Sequence, residues 1–206
     1  MRIAVINEVS ASTKNQDIIK ALTSVGCADI YNVGMKNPEQ LPELTYIHTG
    51  LMSALLLNAE AVDVVIGGCG TGQGYLNSVL QYPGVTCGLI TNPLDAWLFS
   101  QINAGNCLSL ALNKGYGWAG DINLEYIFRE YFKDVPGAGF PAHRQQSQKE
   151  SRELLGQISV NSHKSIEEIL SVMNKSVLTA IAGSKDFMYL LETTDKGKKI
   201  AMQFFK

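Results

Sequence analysis

The chain has 206 residues, 46% hydrophobic and 17% charged, which is enough apolar material for one core and too little charge for a disordered chain. Seventeen Lys and Arg against nineteen Asp and Glu give a net charge of −2 without any basic block, so the electrostatic footprint of a nucleic-acid binder is absent. No apolar run nears the roughly 18 residues of a membrane span, and Cys27, Cys69, Cys87 and Cys107 have neither CxxC nor zinc-finger spacing, so a soluble cytoplasmic protein is expected.

The N-terminal segment MRIAVINEVS reads as a first strand over Arg2 to Ile6, not as a signal peptide. Asn15 to Val25 carries Ile18, Ile19, Leu22 and Val25 at helical spacing, and Ala28 to Val33 reads as a second strand closed by Gly34. Pro38 and Pro42 mark a loop, Tyr46 to Ala59 predicts a helix, and Val62 to Ile66, apolar but for Asp63, reads as a strand buried on both faces. Val85 to Thr91 and Cys107 to Leu112 repeat that pattern. Between them a helix opens with Asn92 as cap and Pro93 at its first position, where Asp95 suits the helix dipole. Asp121 to Phe132 is a further amphipathic helix. This alternation predicts right-handed crossovers and a parallel sheet of about five strands covered on both faces, a Rossmann-like, doubly wound α/β fold. Trp97 and Phe99 are expected in its core or at a subunit interface.

From Asp134 the character changes. Pro136, Gly137, Gly139 and Pro141 predict an extended connector, and Arg144 to Ile158 a polar helix. Ser165 to Met173 predicts another helix, with His163 exposed just before it. The tail from Val177 mixes short apolar patches with a solvated cluster of Lys196, Lys198 and Lys199. The expected organisation is an α/β domain over residues 1–150 and a mainly helical extension over 151–206, capping the sheet domain or a neighbouring subunit.

The most informative segment is Gly67-Gly-Cys-Gly-Thr-Gly-Gln-Gly74, five glycines in eight positions after a buried strand, with a helix expected from about Tyr75. Such a loop lets backbone N–H groups approach an anion beyond the carboxyl end of a strand. It is not a Walker A loop, because Gln73 follows Gly72, and it is not the dinucleotide fingerprint, because the spacing is GxGxG and lies after the third strand. A nucleotide-binding redox protein is therefore disfavoured. Cys69 lies inside the loop, where backbone donors and a helix N-terminus favour the thiolate form of a cysteine. The other three cysteines sit in or beside apolar segments and read as packing residues.

That loop, followed by Pro83-Gly84-Val85, Asn92-Pro93, Gln101-Ile-Asn103 and Asn106, resembles the ribose-5-phosphate isomerase B / galactose-6-phosphate isomerase family over roughly residues 1–150. The resemblance implies a homodimer without metal or organic cofactor that interconverts aldose and ketose phosphates through an enediolate. A tetramer is the larger assembly considered; no nucleic acid or membrane partner is expected. By motif position, Cys69 matches the residue that moves the proton between C1 and C2, and Gly70, Gly72, Gln73 and Gly74 fall in the anion hole. Thr71 matches a residue associated with ring opening, and Asn103 one that binds substrate oxygens. Tyr46 and His48 match a Tyr-Pro-His segment near the sugar. Glu8 keeps the carboxylate of an Asp-His pair whose imidazole is replaced by Val9. His143 and Arg144 lie where the family places a phosphate-gripping basic segment, often across the dimer.

Two departures bear on substrate. Ile102 stands where the family has the histidine that assists ring opening, and Asn113 where it has an arginine, with Lys114 adjacent. Enolisation chemistry is retained while ring opening and phosphate binding are altered, which points to a short or acyclic sugar phosphate. The other reading is a catalytically inactive phosphosugar-binding or regulatory protein on the same fold. Retention of the thiol favours the enzyme.

Overall fold

The aliphatic runs become five parallel strands in a computed structural model that describes residues 1–205. They are β1 (Ile3–Asn7), β2 (Ile30–Asn32), β3 (Val64–Cys69), β4 (Cys87–Ile90) and β5 (Cys107–Ala111), in one sheet of order β2-β1-β3-β5-β4. β3 lies at the centre and is buried at every position, as a strand covered on both faces must be. It runs past the expected end at Ile66, because Gly67 and Gly68 still pair through their backbones with Ile6 and Asn7 of β1. At the sheet edge β2 is only three residues long, shorter than its apolar run suggests.

Alternation along the strands sends side chains to two cores. Ile3, Val5, Val64, Ile66, Leu108 and Leu110 face α1 (Asn15–Ser24), α4 (Pro93–Leu98) and α5 (Gly120–Phe132), through Ile18, Leu22, Ala96, Leu124 and Phe128. Ala4, Ile6, Val65 and Cys107 face α2 (Tyr46–Asn58) and α3 (Gln73–Val79), through Leu51, Met52, Leu55, Tyr75 and Val79. The Tyr75 hydroxyl meets Ser53 Oγ at 2.6 Å and Cys107 Sγ at 3.4 Å, and burial holds it well above the ordinary phenol value.

Every residue of α2 from Thr49 to Leu56 is buried. A helix apolar around its whole circumference needs cover on two sides, and the second side is the C-terminal tail. There α7 (Ile166–Val172), α8 (Lys175–Ala182), α9 (Lys185–Leu191) and α10 (Asp195–Phe204) add Leu170, Ile181, Phe187, Leu191 and Ile200 to the α2 core. Thr194 Oγ1 donates to Ala59 O at 2.8 Å, tying the start of α10 to the end of α2. The tail thus caps its own chain. By contrast α6 (Gln145–Ser162) has no buried residue and runs unbroken across positions 150 and 151. No helix among the described residues is long and apolar enough to cross a membrane.

If the tail shares the α2 core, Phe187→Ala removes a fully buried ring from it and should lower the unfolding free energy by about 3–5 kcal/mol. Urea titration followed by both fluorescence and circular dichroism should show one shifted transition. An early transition that leaves the sheet intact would make the tail an independent unit.

Candidate active site

In this sheet α1 leaves β1 toward one face and α3 leaves β3 toward the other, which opens a crevice at their carboxyl ends, the usual ligand position in open α/β sheets. Asn7 pairs with Gly68, so Glu8, one step on and still extended, stands beside Cys69 on the neighbouring strand. Both are buried, Glu8 to 4% and Cys69 to 6% exposure. The chain then turns through Gly70–Gly72 into α3, which starts at Gln73, two residues before the sequence-based expectation. Gly72 has φ +74°, a conformation that favours glycine, and a Cβ there would also displace a Leu89 methyl. Gly74 lets the Tyr46 ring approach; a Cβ would lie 3.1 Å from it.

The loop amides are not all free. Gly70 N–H donates to Ser10 Oγ at 3.1 Å, Gly72 N–H to Cys69 O at 3.3 Å and Gln73 N–H to Thr71 Oγ1 at 3.3 Å. The amides of Thr71, Gly74 and Tyr75 have no acceptor among the described residues. The expected anion hole is therefore narrowed: Gly70 is occupied, and the open donors lie at Thr71 and the first turn of α3. Thr71 Oγ1 lies 3.9 Å from Cys69 Sγ, and Thr71 itself is exposed on the rim of a cavity of about 240 Å³ that Lys114 and Asn123 also line. Among the described residues no three His, Cys, Asp or Glu side chains gather as a metal-ligand set.

α2 begins at Tyr46 next to this loop, held there by Val9 N–H donating to Leu44 O at 2.9 Å. His48 serves a local purpose as well, because its Nδ1 accepts from the Thr45 N–H at 3.0 Å and closes a capping box. The neutral ring therefore carries its proton on Nε2. Burial lowers its pKa below the ordinary 6.5, with Glu43 acting in the opposite direction.

Asn103, His143 and Arg144 do not join this group. α4 and the π-helical turn Phe99–Asn103 run back from the carboxyl end of β4 to the start of β5, which leaves Asn103 at the amino edge of the sheet. The five-residue β5 between the two edges spans about 16 Å at roughly 3.3 Å per residue. The connector is bonded to the same edge: Gly137 N–H donates to Ser100 O at 2.9 Å and Gly139 N–H to Gln101 O at 3.0 Å. Arg152 of α6 donates to Ile102 O at 2.8 Å and Gly137 O at 2.9 Å. His143 and Arg144 stand exposed in a short turn beyond it, without side-chain partners among the described residues.

Two further residues hold the loop: Ser10, which the sequence did not single out, and Asn113, which it marked only as standing where the family has an arginine. Ser10 Oγ donates to Glu8 Oε1, and Asn113 Nδ2 donates to Ser10 O at 2.9 Å. Asn113 and Lys114 N–H both donate to Gly70 O, at 3.0 and 2.8 Å, latching the turn after β5 onto the turn after β3. Only their polarity, in the turns that follow apolar strands, marks them in the sequence.

Fold and loop together define an α/β protein that presents a thiol, a carboxylate and open amides at the carboxyl edge of its sheet. The model of the Ribose/Galactose Isomerase family matches residues 3–148, and the chain belongs to that family, as its loop motif implied. Two solved structures match 98% of this chain and 96% of their own, each at a TM-score of 0.93. One is a ribose-5-phosphate isomerase from Vibrio parahaemolyticus, 40% identical; the other is a 4-deoxy-L-threo-5-hexosulose-uronate ketol-isomerase in complex with a tartrate, 36% identical. The ribose-5-phosphate isomerase B of Clostridium thermocellum shares the fold at a TM-score of 0.65 and 20% identity, over 79% of this chain and 99% of its own. No curated protein matches the chain.

The His48 geometry has a pH consequence. Because the folded pKa is lowered, the unfolded chain takes up the proton first, so this contribution to stability is intact above about pH 6.5 and is lost as the pH falls through the folded value. His48→Gln keeps a side chain that can close the box but removes the titration. Between about pH 7 and pH 5 the Tm of wild type should fall more steeply than that of the variant; parallel curves would contradict the neutral cap.

Proposed function

We propose that the chain is a cofactor-independent aldose–ketose isomerase acting on an anionic open-chain sugar through an enediolate. The observation that carries this reading is the convergence of Cys69, the buried Glu8 and the unpaired amides of Thr71, Gly74 and Tyr75 in one crevice. The Cys69 thiolate takes the proton from the carbon beside the carbonyl and returns it to the former carbonyl carbon. The oxygen that gains charge is received by the open amides, each donor contributing about 3–4 kcal/mol of barrier lowering in sites of this kind, and it takes up the proton that the neighbouring hydroxyl gives up as that hydroxyl becomes the new carbonyl. Thr71 and the Glu8 oxygen facing the cleft hold the neighbouring hydroxyls, Gln73 lines the entrance, and Tyr46 and His48 border the sugar.

A second copy completes the site. Asn103, His143 and Arg144 sit at the opposite end of the strands from Cys69 in their own chain, and they act in the partner's crevice of a homodimer. The exposed apolar side of α6, with Leu154, Leu155 and Ile158, supplies contact surface for that dimer.

Cations for the substrate's anionic end are available on the exposed turn at Arg144 and on the cavity rim at Lys114. Arg152 is occupied by two carbonyls, and Lys149 makes only an exposed 4.0 Å approach to Glu153. A single guanidinium pairs bidentately with a carboxylate as well as with a phosphate, so the choice between a sugar acid and a sugar phosphate rests on the ring-opening position. A 4-deoxy-5-hexosulose uronate has a ketone at C5 and no hydroxyl at C4, so it closes neither usual hemiacetal ring, and Ile102 in place of a ring-opening imidazole suits it.

The test is a panel of four- to six-carbon sugar phosphates and open-chain uronates, assayed with wild type and Cys69→Ala. Turnover should fall about 10²- to 10⁴-fold in the variant while substrate binding persists. Wild type that binds such compounds and turns over none would instead support a binding or regulatory protein. Mixing Cys69→Ala with Arg144→Ala subunits should restore up to about a quarter of wild-type activity, the share of intact sites in random dimers. No recovery would place the whole site within one chain.

A further inference from the structure

Glu8 is a carboxylate at 4% exposure with no Lys, Arg or His nitrogen at ion-pair distance among the described residues. A charge removed from water in this way needs hydrogen-bond donors to hold it. The one side-chain donor it has is the Ser10 hydroxyl. The same hydroxyl oxygen accepts the Gly70 N–H at 3.1 Å. A hydroxyl has a single proton, and since the Gly70 amide can only donate, that proton belongs to the Glu8 carboxylate. Ser10 is itself fixed, because its carbonyl accepts from Asn113 Nδ2 at 2.9 Å while the Asn113 N–H donates to Gly70 O at 3.0 Å. The result is a closed circuit of bonds through Ser10, Gly70 and Asn113, with Glu8 attached to it and Cys69 immediately before it in the chain.

We propose that Ser10 is a positioning residue for the isomerisation, holding the Glu8 carboxylate and the Gly70 peptide in one fixed relation to Cys69. The inference rests on the function proposed above. Ser10 neither touches the reacting carbons nor exchanges a proton with them. It binds one Glu8 oxygen and thereby directs the other toward the crevice, and it fixes the peptide that follows the thiol. Loss of the hydroxyl therefore weakens turnover more than binding, because misplacement of reacting groups is felt at the transition state.

The experiment compares wild type, Ser10→Ala, Ser10→Thr, Glu8→Gln and the Ser10→Ala/Glu8→Gln double variant. The substrate is whichever of ribose 5-phosphate and 4-deoxy-L-threo-5-hexosulose uronate the wild type turns over. Ser10→Ala should lower kcat about 10- to 100-fold with KM changed less than about threefold, and Ser10→Thr should recover most of kcat. The double variant should be no worse than Glu8→Gln alone within about threefold, because both changes break the same connection. An unchanged kcat in Ser10→Ala, or losses that multiply, would overturn the proposal. A second reading needs no turnover: hydrogen exchange at the Gly70 amide should speed at least about tenfold in Ser10→Ala while Val65, bonded to Asn106 O, stays protected. Unchanged exchange would likewise overturn it. Wild type inactive on both substrates would fail the isomerase reading, and the exchange measurement would still decide whether Ser10 holds the loop. Should Ser10→Ala not fold, Ser10→Cys keeps the volume with a weaker donor and replaces it in each comparison.

Discussion

The peptide of Gly70 is the point at which three strand ends meet. Its carbonyl accepts the amides of Asn113 and Lys114, and its amide reaches the Ser10 hydroxyl. Those partners come from the turns after β5 and β1, so the exits of the three middle strands are fixed to one another through a single residue. Leu112 N–H adds a bond to Cys69 O at 3.0 Å. Groups that must act on adjacent carbons need placement to within a fraction of an ångström, and sheet strands alone do not give that beyond their last paired residue. Here the backbone of the loop supplies it.

The sequence makes the sheet and the loop legible for a common reason. Val64 to Ile66 and the five glycines that follow are local patterns, and a buried strand running into glycine has few other structures open to it. What stayed hidden is long-range. Ser10 meets Gly70 across sixty positions and Asn113 across more than a hundred, and no periodicity encodes such a contact. Gly70 therefore looked like an open donor when it was already bonded. The second layer over α2 was nearer to being readable. Leu51 to Leu57 has no polar stripe, and a helix without one is covered on all sides. The cover was the tail, whose helices announce themselves mainly through their caps. Ser165 and Glu168 form a reciprocal box, and Thr194 accepts from Gly197 N–H.

Asn103, His143 and Arg144 show why a motif fixes chemistry type before it fixes geometry. Each was identified by position in the chain, and position does not tell which end of a strand a residue occupies, or in which copy it acts. The π-helical turn at Phe99–Asn103 and the left-handed Ala104 that ends it hold Asn103 at the amino edge. The bonds from the connector and from Arg152 then bind that edge into one unit with the turn carrying His143 and Arg144. The unit is held by its own hydrogen bonds, while the side chains of His143 and Arg144 have no partner among the described residues.

This division has a consequence for how such a protein can change substrate. The thiol, the carboxylate and the open amides are held by strand ends and backbone, where almost any substitution disturbs the Gly70 junction. The turn that carries His143 and Arg144 is bonded instead to the amino edge of the sheet, which β5 separates from the carboxyl edge by about 16 Å at roughly 3.3 Å per residue. Side chains on that turn can be replaced without moving Cys69 or Glu8. Family membership therefore constrains the reaction more tightly than the sugar. Ile102 and Asn113 illustrate the difference: Ile102 presents its carbonyl to Arg152 and Asn113 latches Gly70 through its backbone amide. A backbone carbonyl makes its bond whatever side chain its residue carries, so a change at Ile102 leaves the contact to Arg152 in place, whereas Asn113 also holds Ser10 O through its side chain and is tied to the loop twice.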